Sequence, residues 1–269
     1  MSDPRAALDP AALADVAGPG GPWRRIDVVA ETGSTNADLT ARADAGEDVD
    51  GTVLVADHQT AGRGRNGRTW AAVPGAQVSM SVAVATAGLP PAAWGWVPLV
   101  TGLAVLDAVA ETTGVRAGLK WPNDVLAGPD ARKLAGILAE VAGGGSVIVV
   151  GVGLNVSHDV DELPDPAAVS LRLLGAPEAD RRELVAALLR QLARRIDDLR
   201  RHGGANAALV EEYVGRSLTV GARVRAVLPG DREVVGTARA IDDQGRLPID
   251  TDAGTVVVSA GDIVHLRPV

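Results

Sequence analysis

The chemically most informative stretch of this 269-residue chain is residues 62–70, GRGRNGRTW, which combine three arginines with three glycines and end in a tryptophan. Glycine leaves backbone N–H groups accessible, and a guanidinium binds two oxygens at once, so this stretch could bind a phosphate or a carboxylate. Trp70 adds a flat aromatic face on which a base could stack. The pattern predicts an anion-binding loop, with a solvated basic loop as the alternative.

The same stretch contains the G-x-G-x-x-G spacing of dinucleotide-binding folds. That fingerprint must open a helix, and an acid must follow roughly 20 residues later to bind the ribose. Residues 71–75 (AAVPG) do not favour a helix, and the first acidic residue after the stretch is Asp107, which is too far along the chain. The dinucleotide interpretation is therefore excluded.

A second cationic region contains both lysines of the chain, because Lys120 and Lys133 are the only lysines among 26 basic residues. Lysine is a compact point charge, whereas arginine is a broad planar fork. Lys120 begins KWPND, in which Asn123 and Asp124 suit a turn after the proline. Lys133 begins KLAGIL, a predicted strand that points its ammonium into a cleft, where it needs an anion. The alternative is a surface lysine paired with Asp124 or Asp130.

Two further segments carry neutral polar groups. The segment GVGLN ends an apolar strand, where glycines allow a ligand to approach and the Asn155 amide can pair with a base edge. The segment TGSTN, together with His58 and Gln59, supplies hydroxyl and amide groups for a neutral polar ligand. An ordinary turn and a helix cap at Thr35 are the alternatives. His58 is interpreted as structural, and the four scattered histidines suggest no metal site.

The elements that must position these groups follow from hydrophobic periodicity. Strands are predicted at 23–31, 52–57 and 77–85, and a helix at 32–45 that begins with the capping signature Thr35-x-x-Asp38. Further sheet segments are predicted at 118–127, 133–141 and 146–156, the last two as a hairpin over three glycines. Later helices are predicted from the capping box at Asp180 and at 205–214. No charged residue occurs in 69–106, but glycines and prolines interrupt this run, which favours a core helix to about residue 110 over a membrane span.

The chain is predicted to divide into three parts. Residues 1–22, rich in Ala, Pro and Gly, are interpreted as a loosely held arm, and 23–214 as the main domain. After residue 215, short strands separated by turn signals at 229–231, 242–245 and 252–254 indicate a small β-barrel.

Composition limits the classes of function. The absence of cysteine excludes disulfides, a thiol nucleophile and a Cys-ligated metal. The net charge of −8 argues against broad binding to nucleic acid or to anionic lipid. No secretory signal is visible, so a cytoplasmic location is expected.

Five motifs, in this order and spacing, give the chain a specific resemblance: GSTN, HQTAGRGRNGRTW, LKWPNDVL, KLAGIL and VGVGLNV. They resemble the biotin protein ligases over residues 23 to about 269. The resemblance implies an α+β fold, with a mixed sheet flanked by helices as in class II synthetases and lipoate ligases, and a C-terminal SH3-like barrel. It implies activation of biotin by MgATP as biotinyl-5′-AMP, with release of pyrophosphate. Transfer to a lysine of the biotin carboxyl carrier domain of acyl-CoA carboxylases would follow.

The resemblance also assigns roles to residues. It implies a catalytic set consisting of Lys133, Arg65, Asp124 and Lys120. It implies a biotin-binding set consisting of Ser34, Thr35, Asn36, Gln59, Gly62, Arg63, Gly64, Arg65, Lys133, Gly136 and Gly153. It implies an ATP-binding set consisting of Arg63, Arg65, Arg68, Trp70, Asn123, Lys133 and Asn155. Magnesium would be held mainly by phosphates, and Asp124 either binds the metal or deprotonates the incoming lysine.

Some expectations concern partners and rival functions. About 22 residues precede the first predicted strand, too few for a winged-helix module, so we expect no repressor activity and no nucleic-acid partner. A monomer or a weak homodimer, without membrane association, is expected. The rival functions are a lipoate or octanoyl transferase on the same fold and a non-catalytic binding protein that uses the small barrel.

Overall fold

A computed structural model describes residues 5–18, 21–71, 73–228, 232–259 and 265–268. Within these ranges, the first sheet contains β1 Arg25–Thr32, β2 Thr52–Gln59, β3 Gln77–Ala85, β4 Ala117–Lys120, β5 Asp124–Ala127, β6 Arg132–Ala142 and β7 Val147–Asn155. The helices are α1 Thr35–Asp44, α2 Trp96–Thr113, α3 Arg181–His202 and α4 Ala207–Arg216. The strand order is β1-β2-β3-β7-β6-β5-β4. Only β1 and β2 are parallel, so the predicted mixed α+β sheet is confirmed.

The uncharged region after β3 contains the central helix of the core. Helix α2 is long and apolar enough to cross a membrane, but most of its residues are buried within the fold. It lies against the sheet and α3, and its Val100, Leu103 and Val109 are fully buried. The predicted core helix is therefore present, and it continues to Thr113.

Two local predictions differ from the structure near the motifs. The turn predicted at Asn123 and Asp124 lies slightly earlier, at Trp121-Pro122-Asn123, so that Asp124 is the first residue of β5 and pairs with Lys120. Helix α1 begins at Thr35 and is capped by Ser34, whose side chain accepts a hydrogen bond from the Ala37 N–H. The capping signature assigned to Thr35 was therefore wrong.

The N-terminal arm is packed over residues 5–18, in contrast to the loosely held arm predicted. Leu8 and Leu13 are buried, the latter in a 3-10 helix at Pro10–Val16 that lies against α3. The Arg181 guanidinium donates to the Ala6 carbonyl at 2.6 Å, and Arg5 forms an ion pair with Glu162. The burial of these two leucines, together with the Arg181 and Arg5 contacts, attaches this segment to the main domain.

A second, antiparallel sheet follows α4. It contains β8 Arg223–Leu228, β9 Arg232–Ala238, β10 Leu247–Thr251, β11 Gly254–Val258 and β12 His265–Pro268, in the order β11-β10-β9-β8-β12. The predicted turn at 229–231 and the strand residues 260–264 lie outside the described residues. Closure into a barrel and the domain boundary at residue 215 stay predictions.

The turn at residues 242–245, between β9 and β10, contacts the start of α2 and the turn after β4. The indole N–H of Trp96 donates to the Asp242 carbonyl at 3.1 Å, and that of Trp121 donates to the Gly245 carbonyl at 2.9 Å. A Cβ added to Gly95 would lie 2.2 Å from the Gln244 carbonyl oxygen, so the two backbones approach closely. Through the hydrogen bond from Trp121, this turn helps to fix the Trp121-Pro122-Asn123 segment.

Candidate active site

All four chemically distinctive segments meet at one cleft on the sheet. It lies between the start of α1, the middle of β3, β6 and β7, the turn after β4 and the loop of residues 62–70, here called the glycine–arginine loop. The predicted residues that line it are Ser34, Thr35, Asn36, Gln59, Arg63, Gly64, Arg65, Arg68, Trp70, Lys120, Asn123, Asp124, Lys133, Gly136 and Gly153. Residues more than 100 positions apart in the sequence are thus brought together.

The glycine–arginine loop is a small hairpin. Arg63 pairs with Thr69 as an antiparallel bridge, and the Trp70 N–H donates to the Gly62 carbonyl at 2.8 Å. At its tip Asn66 takes a left-handed φ of 56°, a conformation that asparagine tolerates better than most residues. The loop therefore has its own fold, which presents its side chains to the cleft.

A lysine–aspartate pair lies on the β5–β6 side of the cleft. The Lys133 ammonium is 2.7 Å from an Asp124 carboxylate oxygen and 5.4 Å from the centre of the Trp70 ring. Lys133 therefore lines the cleft, and within it forms the ion pair with Asp124 that the alternative had assigned to a surface lysine. This arrangement holds the ammonium in place by charge on one side and by an aromatic face on the other.

Arg65 brings a second cation to the same carboxylate. Its guanidinium donates to the Asn123 side-chain oxygen at 3.3 Å. Burial lowers the pKa of Arg65, while the negative charge of Asp124 opposes this shift. Asn123 in turn donates to the Ile137 carbonyl at 3.0 Å, which ties the turn after β4 to β6. The cleft therefore concentrates positive charge from two separate parts of the chain.

The opposite end of the cleft is neutral and closely hydrogen-bonded. The Thr35 N–H and hydroxyl both donate to the Gln59 side-chain oxygen, at 2.9 and 3.1 Å. Ser81 on β3 lies 2.7 Å from the Thr35 hydroxyl and donates to the Asn36 side-chain oxygen at 2.7 Å. Sequence reasoning missed Ser81, although the alternation of Gln77, Ser79 and Ser81 on one face of an otherwise apolar strand could have indicated it.

Trp70 lies directly on the floor of the cleft. A Cβ added to Gly153 would lie 2.3–2.6 Å from three atoms of the indole, and one added to Gly136 would lie 3.0 Å from it. The indole N–H donates to the Gln77 side-chain oxygen at 3.3 Å. Both glycines are therefore needed because an aromatic ring packs against their backbone.

Two predicted site residues do not line the cleft. Gly62 packs against the backbone of Trp70, and a Cβ added to it would lie 2.5 Å from the Trp70 carbonyl oxygen. Its lack of a side chain therefore allows the loop to fold as it does. The buried Asn155 amide donates to the Val169 carbonyl at 3.1 Å. The amide thus supports the chain segment that follows β7, and the contact predicted between Asn155 and a base stays a prediction.

Other polar groups near the cleft serve different purposes. His58 pairs with Glu31 at 2.9 Å, in keeping with a structural role. Glu140 on β6, which sequence reasoning missed, contacts both Arg63 and Asn36. Within the described ranges, no three His, Cys, Asp or Glu side chains are grouped closely enough to hold a metal ion.

Comparison with known proteins agrees with this geometry. Residues 31–157 match the model of the Biotin/lipoate A/B protein ligase family, and residues 219–266 match the Biotin protein ligase C terminal domain. The biotin–[acetyl-CoA-carboxylase] ligase of Mycobacterium tuberculosis is 55% identical over 267 residues, which is 98% of this chain and 97% of that protein.

Solved structures with the same fold carry the expected ligands. The biotin protein ligase of Aquifex aeolicus in complex with biotin and ATP is 27% identical, has a TM-score of 0.77, and aligns over 92% of this chain and all of that one. The Leishmania major ligase in complex with biotinyl-5-AMP is 26% identical, has a TM-score of 0.59, and aligns over 88% of this chain and 99% of that one. The chain therefore belongs to the biotin protein ligase family.

Proposed function

We propose that this protein is an ATP-dependent ligase that activates biotin as biotinyl-5′-AMP and transfers it to a lysine of a biotin carboxyl carrier domain. The observation that carries the proposal is the convergence of Lys133, Arg65 and Asp124 in one cleft whose other end offers neutral hydrogen-bonding groups. The names and ligands of the similar proteins support the same substrates.

In the first step the biotin carboxylate attacks the α-phosphorus of ATP, and pyrophosphate leaves. Two anions must approach each other, so cations placed beforehand lower the barrier. Lys133, held by Asp124, and Arg65, held by Asn123, would supply this charge with little reorganisation. Thr35, with its hydroxyl beside Gln59, would bind the ureido ring at the neutral end.

In the second step the acceptor lysine loses a proton, its amine attacks the acyl carbon, and AMP leaves. Among the described residues that line the cleft, Asp124 is the one that carries a carboxylate. We assign to it the acceptance of this proton, with metal binding as the alternative. Trp70 would cover the adenine, and the glycine–arginine loop would exclude water from the anhydride.

Magnesium enters with the nucleotide as MgATP. Mg²⁺ in nucleotide sites is usually bound by phosphate and water oxygens plus one or two carboxylates. The cleft offers the Asp124 carboxylate, so its residues are compatible with Mg²⁺ bound in this way. The metal would neutralise phosphate charge when bound. A cytoplasmic location, a monomeric or weakly dimeric state, and the lack of a nucleic-acid partner are further parts of the proposal, the last supported by the net charge of −8.

The test combines the purified protein with biotin, MgATP and a biotin carboxyl carrier domain. The expected result is a carrier mass increased by one biotinyl group, and no increase when the acceptor lysine is replaced by arginine. Pyrophosphate exchange measured separately with biotin, lipoate and octanoate identifies the acid. Exchange driven by lipoate or octanoate rather than by biotin would favour the rival transferase and refute the proposal, and exchange with none would favour a binding protein.

A further inference from the structure

Glu140 is a partly buried acid on β6 that holds the glycine–arginine loop from outside the cleft. One of its carboxylate oxygens forms an ion pair with the Arg63 guanidinium, and the other accepts a hydrogen bond from the Asn36 amide at 2.8 Å. The loop also lies over Leu138 on the same strand. Glu140 therefore connects the body of the protein to the first arginine of the loop.

The carboxylate of Glu140 is itself held by a buried network. Asn36 is 3% exposed and also donates to the Leu138 carbonyl at 3.2 Å. Its side-chain oxygen accepts from Ser81, which lies beside Thr35 at the neutral end of the cleft. A carboxylate anchored in this way can fix the position of an arginine, because its own freedom is already lost.

Other contacts between the loop and the rest of the protein include hydrogen bonds to neutral groups and the packing of an aromatic ring. Arg65 makes a long hydrogen bond to Asn123, and the Trp70 ring packs on Gly153 while its N–H donates to the Gln77 side-chain oxygen. The hydrogen bonds within the hairpin, such as Gly64 N–H to the Arg68 carbonyl at 2.8 Å, do not tie it to the body. The Glu140–Arg63 pair thus adds a charged contact at the base of the loop. It also balances the charge of Arg63.

From these contacts we infer that Glu140 is a positioning residue, which holds the glycine–arginine loop over the cleft through Arg63 and so slows the escape of the activated acid. The second half of this inference rests on the proposed ligase function. The first half concerns the ligand-free protein and does not depend on catalysis.

The first experiment measures amide hydrogen exchange of residues 62–70 in the ligand-free protein. Glu140→Gln keeps an oxygen that can accept from Asn36 but removes the charge that pairs with Arg63. The loop amides should exchange about fivefold faster, which is the upper range for a partly exposed ion pair. In an Arg63→Ala background, Glu140→Gln should cause no further acceleration. Glu111→Gln, which breaks a surface ion pair with Arg190, is the matched control and should leave the loop unchanged.

The second experiment measures how long the protein retains newly formed biotinyl-5′-AMP. Glu140→Gln should release it about fivefold faster while the turnover number of pyrophosphate exchange stays within about twofold. Equal loop exchange in Glu140→Gln and wild type would overturn the inference, as would additive effects of Glu140→Gln and Arg63→Ala. Faster exchange that extends equally to the β3 amides would indicate general destabilisation and would also refute it.

The two proposals fail separately. If the wild-type protein does not activate biotin but Glu140→Gln still loosens the loop, the ligase function falls and the positioning role stands. If biotin is activated and the loop is unaffected by Glu140→Gln, the positioning role falls and the function stands.

Discussion

Replacement of Gly153 by alanine tests whether the Trp70 indole packs on the floor of the cleft. The added methyl carbon would lie 2.3–2.6 Å from three indole atoms, so the ring must move by about 1 Å to restore van der Waals separation. The backbone of Gly153 cannot yield instead, because β7 is paired with Ser79 on β3 and with Gly136 on β6. The strain therefore falls on Trp70 and on the loop that carries it.

The expected cost is about 1–3 kcal/mol, the usual range for one extra methyl group in a packed site. If the loop bears this cost, the population in which Trp70 packs on residue 153 falls about five- to 150-fold. The loop amides that donate within the hairpin, those of Gly64, Arg68 and Trp70, should exchange faster by that factor. The KM for biotin and ATP in pyrophosphate exchange should rise.

The matched control is Gly215→Ala. No atom lies within 4 Å of a Cβ added at Gly215, and its φ is negative, so the same change of residue type creates no contact there. Loop exchange that is the same in Gly153→Ala and Gly215→Ala would show that the indole does not pack on Gly153, and the reasoning about the floor of the cleft would be wrong.

Three further predictions concern separate parts of the molecule. Lys133→Arg should keep the fold but lower the rate of adenylate formation about 10²–10³-fold, because a planar guanidinium cannot replace the point charge beside Asp124. Pyrophosphate exchange measures this rate, and normal turnover would contradict the prediction. Trp121→Phe should lower the free energy of unfolding by about 1–3 kcal/mol in chemical denaturation, because the Gly245 carbonyl loses its buried donor; an unchanged midpoint would contradict it. Hydrogen bonds from the Arg5 guanidinium, the larger cause, and from the Asp159 N–H lower the pKa of Glu162 to about 2, so the Arg5–Glu162 pair stabilises the fold above about pH 4.5 and its contribution is lost as the pH falls toward 2. Thermal unfolding of wild type and Arg5→Ala across this range should differ most above pH 4.5 and converge near pH 2, and parallel curves would refute the assignment.

Several elements could be predicted from local sequence because their causes are local. Strand β3 spans residues 77–85, as the alternation of Val and Met with small or polar residues predicts, and β6 and β7 form the hairpin that three consecutive glycines indicate. The Asp180 cap of α3 is likewise local, because its side chain accepts a hydrogen bond from the N–H of Arg182, two residues later. Residues from all five motifs line one cleft, and the ligand contacts assigned to them stay predictions.

The sequence by itself determined the mixed fold class, the glycine and arginine content of the loop at residues 62–70, and the isolation of two lysines in an arginine-rich chain. Tertiary structure decided which partners these groups meet. The pairing of Lys133 with Asp124 depends on the register of β5 and β6, and the contact of Arg63 with Glu140 joins residues 77 positions apart. The commitment of Asn155 to Val169, and the packing of Leu8 and Leu13 in the arm, are also long-range. Local patterns cannot specify such contacts, because they arise only when strand order and register bring distant segments together.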